Sequence, residues 1–337
     1  MNCEIRLLSV VVPVFNEEAV IEEFNRRALA VLGELPFASE LVYVNDGSAD
    51  HTAEILRGLA RRSGNVALVD LSRNFGKEAA MTAGLDHATG DAVVIIDADL
   101  QDPPELIPDL VRMYRSGDFD VIYAQRKSRS GETVLKRASA HLFYRIIGRL
   151  TGFQIPHDTG DFRLMSRQAV SALRRLREHH RFMKGLFAWI GFRQAALLYD
   201  RDPRFAGTSK FNYWRLWNFS LEGITSFTTA PLKVAAYVGL VTSVSAALYG
   251  IGIVVSTIVL GNPVPGYPSL LVVVLFLGGL QLLTLGIMGE YLGRVFNESK
   301  QRPLYFVRQH IPSGTAGELA TAASLVDTDR NPEPSVR

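Results

Sequence analysis

A single cysteine, Cys3, stands among the 337 residues, which excludes an internal disulfide framework and a cysteine-built metal site. The formal net charge of +2 leaves no dense basic face of the kind nucleic acid requires, so no nucleic-acid partner is expected. Charge of either sign is missing altogether from Val234 to Gly289, a gap that a water-soluble domain of ordinary composition does not show. Two glycine-rich phosphate-binding devices are missing as well. No Gly-x-Gly-x-x-Gly follows the first apolar run, and no Gly-x-x-x-x-Gly-Lys-Ser/Thr occurs: Gly76-Lys77 lacks the upstream glycine and is followed by Glu78. Any bound phosphate must then be held by a metal ion and side-chain cations. At the N-terminus the apolar run of residues 7–15 gives way at once to Asn16-Glu17-Glu18. It is too short to span a membrane and carries no small-residue cleavage pattern, so it reads as a strand and not a signal peptide, with the front half expected in the cytosol.

The length allows roughly two domains. Residues 7–14, 40–44, 66–71, 92–96 and 121–124 read as strands. Between them run helices from residue 16 to about 32, 48 to 61, 77 to 87 and 104 to 114, with Asn16 as a candidate cap of the first and Ser48 or Asp50 of the second. Alternation with short connections predicts an α/β fold with a mostly parallel sheet covered on both faces. Polar residues gather at the strand ends, where open α/β sheets bind ligands.

The stretch that organises this half is Asp91-Ala-Val-Val-Ile-Ile-Asp97-Ala-Asp99-Leu-Gln101-Asp102-Pro-Pro-Glu105. A short, β-branched run bounded by Gly90-Asp91 and Pro103-Pro104 predicts a buried strand. Residues two apart share a face, so Asp97 and Asp99 are expected to aim at one spot at its carboxyl end. Two such carboxylates repel unless a cation sits beside them, and Mg²⁺ or Mn²⁺ shared with substrate phosphates answers that need. The alternative is a solvated acidic turn leading into a Pro-started helix.

Val11-Val12-Pro13-Val14-Phe15-Asn16-Glu17, Val44-Asn45-Asp46-Gly47-Ser48 and Asp97-Ala98-Asp99-Leu100-Gln101-Asp102-Pro103-Pro104 together resemble a family-2 glycosyltransferase of GT-A type. The chain is most similar to the polyprenyl-phosphate group, which includes the dolichol-phosphate mannose synthases and bactoprenol glucosyltransferases, from about residue 7 to 308. The resemblance implies transfer of one hexose from a nucleotide sugar, UDP- or GDP-linked, to a polyprenyl phosphate. It also implies nucleotide contacts from Pro13, Glu17 and Asp46, metal ligation by Asp99 and Gln101, and a place for Asp97 beside the ribose or sugar.

Further on, Gln125-Arg126-Lys127-Ser128-Arg129-Ser130-Gly131 is either a solvated loop or a phosphate contact through Arg126. Residues 133–150 form a two-faced helix, suited either to an anionic membrane surface or to a core. On it Lys136 and Arg137 are candidates for a lipid-linked phosphate. In His157-Asp158-Thr159-Gly160-Asp161-Phe162-Arg163-Leu164, the resemblance puts an acid near the acceptor; Asp161 is the first candidate and Asp158 the second, with Arg163 a structural partner of either. Residues 199–210 read as a lid over a diphosphate or as a charged hinge; the resemblance favours the lid, with Arg204 and Lys210 touching phosphate.

Phe211, Tyr213, Trp214, Trp217 and Phe219 form an aromatic belt at head-group level. Apolar spans at about 234–260 and 268–289 are each long enough to cross ~30 Å of hydrocarbon. Lys233 before them and Arg294, Lys300, Arg302 and Arg308 after them predict that both termini are cytoplasmic. The tail from about 312 is expected to be disordered. The expected organisation is thus a catalytic domain to 210, interfacial helices at 211–232, a transmembrane hairpin at 233–293 and a tail. On this reading the hairpin is a tether, removable without loss of nucleotide binding. A processive polysaccharide synthase would carry a Gln-x-x-Arg-Trp motif that this chain lacks, and a non-catalytic tether recruiting a flippase has no need of a full Asp-x-Asp-x-Gln set. A homo-oligomer and a downstream flippase remain open as partners.

Overall fold

The computed structural model describes residues 4–126, 159–199, 228–260 and 266–314. Eight strands make one mixed sheet: β1 (Leu7–Val14), β2 (Ala38–Asn45), β3 (Val66–Leu71), β4 (Ala92–Ile95), β5 (Val121–Arg126), β6 (Thr159–Ser166), β7 (Gln194–Tyr199) and β8 (Val307–Ile311). They lie in the order β7-β5-β6-β4-β1-β2-β3-β8. β4, β1, β2 and β3 run parallel, as do β5 and β7, while β6 is antiparallel to both neighbours and β8 to β3.

Buried on both faces, β1 and β4 are continuous apolar runs. Val10, Val12 and Val14 point into one core layer with Val94 and Ile96, and Val11 into the other with Val93 and Ile95. The first layer is closed by helices α1 (Ile21–Gly33), α2 (Thr52–Arg62) and α4 (Ile107–Arg115), through Phe24, Leu56 and Leu110. The second is closed by α3 (Lys77–His87), α5 (Arg167–Arg174) and α6 (Met183–Trp189), through Met81, Val170 and Phe187. Gly84 lets α3 lie directly on the sheet, since a Cβ there would collide with Val11.

Local details depart from the sequence reading. Asn16 does not cap α1, which starts at Ile21. It takes a left-handed conformation (φ 54°), donates its N–H to Ser48 Oγ at 3.0 Å and accepts that of Ala49 at 2.8 Å, bridging the ends of β1 and β2. The N-cap position of α2 falls on His51 and neither Ser48 nor Asp50 occupies it, although Asp50 Oδ1 accepts the N–H of Thr52, the first helical residue, at 3.1 Å.

Three strands, β6, β7 and β8, are absent from the sequence reading. β6 alternates Phe162 and Leu164, which enter the first core layer, with Asp161 and Arg163. A face of that charge reads as loop or surface, yet β6 sits between β4 and β5. β8 is short and mostly exposed and begins after a seven-residue connection from the last helix.

Helices α7 (Ala230–Leu260) and α8 (Tyr267–Ser299) are each long and apolar enough to cross a membrane. Their outward side chains, Leu240, Ile251 and Leu282 among them, are more than half exposed, a surface suited to lipid and not to water. α8 runs about ten residues past its expected apolar limit, because Glu290, Arg294 and Glu298 continue the same helix.

Candidate active site

The carboxyl ends of β1, β2 and β4 share one edge and open on a cleft of about 310 Å³. Pro13, Phe15 and Glu17 wall it from β1, Asp46 from β2, and Asp97 and Asp99 from β4. The fourth wall, Asn74, Gly76 and Lys77, enters α3.

Asp46 is buried. Its two oxygens accept the N–H groups of Phe75 (2.7 Å) and Gly76 (2.9 Å), so it holds the residue 72–77 loop against the cleft. Burial raises its pKa, against the pull of those two N–H groups and Arg73. Gly47 follows with φ +64°, and a Cβ there would run into the backbone of Arg73 and Asn74.

The acidic pair is not on the strand as expected. β4 ends at Ile95, and Asp97 and Asp99 lie on the turn after it, shaped by Leu100 at φ 56°. They still face the same cleft. Asp99 Oδ1 accepts the N–H of Gln101 at 3.1 Å. Gln101 does not itself wall the cleft. Asp102 is buried and accepts a short hydrogen bond from the Tyr199 hydroxyl.

The cation beside Asp97 is protein-borne. Lys77 Nζ lies 2.7 Å from Asp97 Oδ1 and 2.5 Å from Asp161 Oδ2. Both carboxylates are largely enclosed, their side chains 25% and 11% exposed, against 45% for Lys77. Burial lowers the pKa of Lys77, but Asp161 and Asp97 outweigh it and the net shift is upward. Burial likewise raises Asp161, yet Lys77 and Lys184 hold it well below the usual carboxylate range. Asp97 shifts upward, through burial opposed by Lys77 and reinforced by Asp161.

Around this bridge stand Arg163, which the sequence reading named, and two groups it did not single out, Glu78 and Lys184. Glu78, next along α3, accepts the N–H of Met183 at 3.3 Å. Burial and the charge of Asp161 push it up to about 8. Lys184 is pulled down by burial against the pull of Asp161. Among the described residues Arg163 partners no carboxylate side chain directly: it donates to the carbonyl oxygens of Gly160 (2.9 Å) and Asp161 (3.2 Å) and stacks 3.6 Å over the Phe187 ring. Burial lowers its pKa to about 10. Asp97, Asp161 and Glu78 thus meet Lys77, Lys184 and Arg163. Sequence spacing hides this set, because α3, β6 and α6 join only through the sheet order; the lone signal was Gly76-Lys77 at a strand–helix junction.

Arg126 ends β5, and its buried Nε makes no hydrogen bond among the described residues. Asp158, Lys136, Arg137, Arg204 and Lys210 lie outside the described residues. Among the described residues no three Asp, Glu, His or Cys side chains are placed so as to hold a metal ion together. The turn nonetheless offers only oxygen donors, which suits Mg²⁺ or Mn²⁺ completing its shell with phosphate and water.

A mixed, mostly parallel sheet with an acidic turn at the carboxyl ends of its central strands is the arrangement expected of a GT-A glycosyltransferase, and the same chain carries two helices long and apolar enough to cross a membrane. Residues 9–174 match the model for glycosyl transferase family 2. The chain belongs to that family: it is 53% identical over 300 residues to the uncharacterized glycosyltransferase sll0501 of Synechocystis sp., covering 89% of this chain and 94% of that one. It is 48% identical to the bactoprenol glucosyl transferase of Shigella phage SfV, over 89% of this chain and 98% of that protein. The prophage bactoprenol glucosyl transferase homolog of Escherichia coli is 46% identical, over 90% and 98%. A solved mannosyltransferase, PcManGT from Pyrobaculum calidifontis, is 18% identical, with 96% of this chain and 81% of that one covered, at a TM-score of 0.47, too distant to transfer anything to this chain.

Proposed function

We propose that the protein transfers a single glucose from a nucleoside diphosphate sugar to a polyprenyl phosphate at the cytoplasmic face of the membrane, with inversion at the sugar. The observation that carries this is a Lys-bridged acidic cleft on the same chain as two membrane-length helices, in a sequence that aligns nearly end to end with proteins named bactoprenol glucosyl transferase. A soluble acceptor needs no anchor, whereas a lipid phosphate is concentrated at the bilayer surface.

An oxygen of the acceptor phosphate forms the new bond to the anomeric carbon as the bond to the nucleoside diphosphate breaks, the leaving diphosphate keeping the electron pair. A phosphate monoester, with a second pKa of about 6, is mostly ionised at neutral pH and needs no strong base. Asp161 matches that economy. Held by Lys77 below the usual carboxylate range, it is a weak base at neutral pH and is better suited to positioning sugar or acceptor than to abstracting a proton. Asp97, on the same ammonium, faces the sugar side of the cleft, while Pro13, Glu17 and Asp46 line the nucleotide side. Asp99, with Gln101, would hold a divalent ion, which when bound neutralises charge on the departing diphosphate. Arg126, whose buried Nε makes no hydrogen bond among the described residues, supplies a cation for phosphate. Lys136, Arg137, Arg204 and Lys210 are the further phosphate contacts of this reading, and Asp158 a second carboxylate near the acceptor.

The test is incubation of membranes carrying the protein with labelled UDP-glucose, UDP-galactose or GDP-mannose, a polyprenyl phosphate and Mn²⁺. The expected product partitions into organic solvent with one sugar per lipid, forms best with one donor, and disappears in excess EDTA or in Asp99→Ala. A polymeric product would favour a synthase; undiminished product in EDTA would remove the metal from the reading.

A further inference from the structure

The chain leaving α8 does more than end the membrane anchor. Six residues beyond Ser299 it reaches Tyr305, whose hydroxyl donates to Asp86 Oδ2 at 2.8 Å in the last turn of α3. Arg177 holds the same carboxylate with two bonds, of 2.7 and 3.0 Å. At the next residue the Phe306 carbonyl accepts the N–H of Ser72 at 2.9 Å, and the Phe306 ring tilts against Phe75. Arg308 Nη2 donates to the Ser72 carbonyl at 2.6 Å, and His310 lies edge-on to His87, ring centroids 4.8 Å apart. One short segment therefore grips both ends of a single unit, the residue 72–76 loop together with α3.

That unit forms one wall of the cleft. It carries the Phe75 and Gly76 N–H groups bound by Asp46 and the Lys77 ammonium between Asp97 and Asp161. The membrane helix is itself fixed to the catalytic half nearby, Glu298 Oε1 accepting the His179 N–H at 2.7 Å. Side chains near a cleft are useful only while their backbone is held within about 0.5 Å of the working geometry, and loops are the least stable support for them.

We infer that Tyr305 and Arg308 are positioning residues of the donor site: the segment from α8 to β8 braces the loop and helix that present Lys77 and the partners of Asp46. The anchor is thereby part of the donor pocket. This inference rests on the cleft being the nucleotide-sugar site. It predicts, against the tether picture, that deleting residues 234–308 removes nucleotide binding along with lipid transfer.

The experiment uses full-length protein in detergent, with UDP-glucose and GDP-mannose as probes, and compares wild type, Tyr305→Phe/Arg308→Gln and Ser313→Ala. Ser313 is the control. It donates to buried Glu40 at 2.6 Å at the far end of β8, so its loss weakens strand docking without touching the loop. Expected for the double variant is a donor KM and dissociation constant raised about three- to tenfold, with kcat and lipid KM within about twofold of wild type. Ser313→Ala is expected to lower the melting temperature and leave the donor constants alone. Unchanged donor constants in the folded double variant overturn the inference, as does an equal rise in Ser313→Ala, which would mark general destabilisation. If wild type binds neither probe, the functional reading falls and takes this inference with it; binding by wild type separates the two.

Discussion

Replacing Lys77 by methionine removes one positive charge and little volume, and the structure says where the consequence appears. Both carboxylates contact one nitrogen, at 2.7 and 2.5 Å, so the two oxygens lie within about 5.2 Å of each other. At an effective dielectric constant of about 20, two unit charges at that separation repel by roughly 3 kcal/mol, or about two pKa units. Lys77 is 45% exposed, so solvent screens part of this and about one unit is expected to survive. Asp161 keeps Lys184 and Arg163 beside it, so the proton goes to Asp97, which burial already raises. The assay is kcat/KM for lipid glycosylation from pH 5.5 to 9, on wild type, Lys77→Met and Lys77→Arg. Lys77→Met should move the acid limb upward by about one unit and lower kcat/KM at neutral pH about tenfold, with part of the loss regained at high pH. Lys77→Arg, which keeps the charge, should leave the limb in place. The melting temperature of Lys77→Met should also fall as pH rises. A carboxyl whose folded pKa lies above its unfolded one supports the fold fully below the unfolded value and loses that support through the folded one. An unmoved acid limb with near-wild-type kcat/KM in Lys77→Met would refute the reasoning.

Two further outcomes follow from the same geometry. Glu78, at about 8 when folded against an ordinary value near 4.5, favours the folded state at low pH and loses that contribution as pH climbs toward and through 8. The melting temperature of wild type should therefore drop between pH 7 and 9 by more than that of Glu78→Gln, and equal slopes in differential scanning fluorimetry would remove Glu78 as the cause. Gly47→Ala must place a Cβ against the backbone of Arg73 and Asn74 at φ +64°. A strain of about 1–3 kcal/mol should lower the melting temperature by about 2–12 °C and raise the donor KM, since the displaced loop leads into Lys77.

Much of the front half could be read without coordinates. The runs at residues 7–14, 66–71 and 92–95 are short, apolar and β-branched, and a strand buried on both faces has few other compositions open to it. The apolar spans show equally well, because lipid admits only long uncharged helices. Motif residues Pro13, Glu17, Asp46, Asp97 and Asp99 were legible as a set, and all five wall one cleft.

Tertiary structure decided the rest, for reasons of distance along the chain. The ammonium between Asp97 and Asp161 comes from α3, and the strand bearing Asp161 inserts between β4 and β5. β6 escaped notice because its charged face is buried by partners remote in sequence, and a lone strand cannot announce groups that arrive from 77–78, 184 and 187. β8 escaped because five mostly exposed residues bury too little to leave a pattern; hydrogen bonding to β3 is what makes them a strand. Local composition dictates which segments are strands, helices and spans, since burial and periodicity act on neighbours. Which opposite charges share a site, and that the segment after the last long helix returns to the loop at Ser72, depends on contacts between residues as far apart as Ser72 and Arg308, and only the folded chain brings those together.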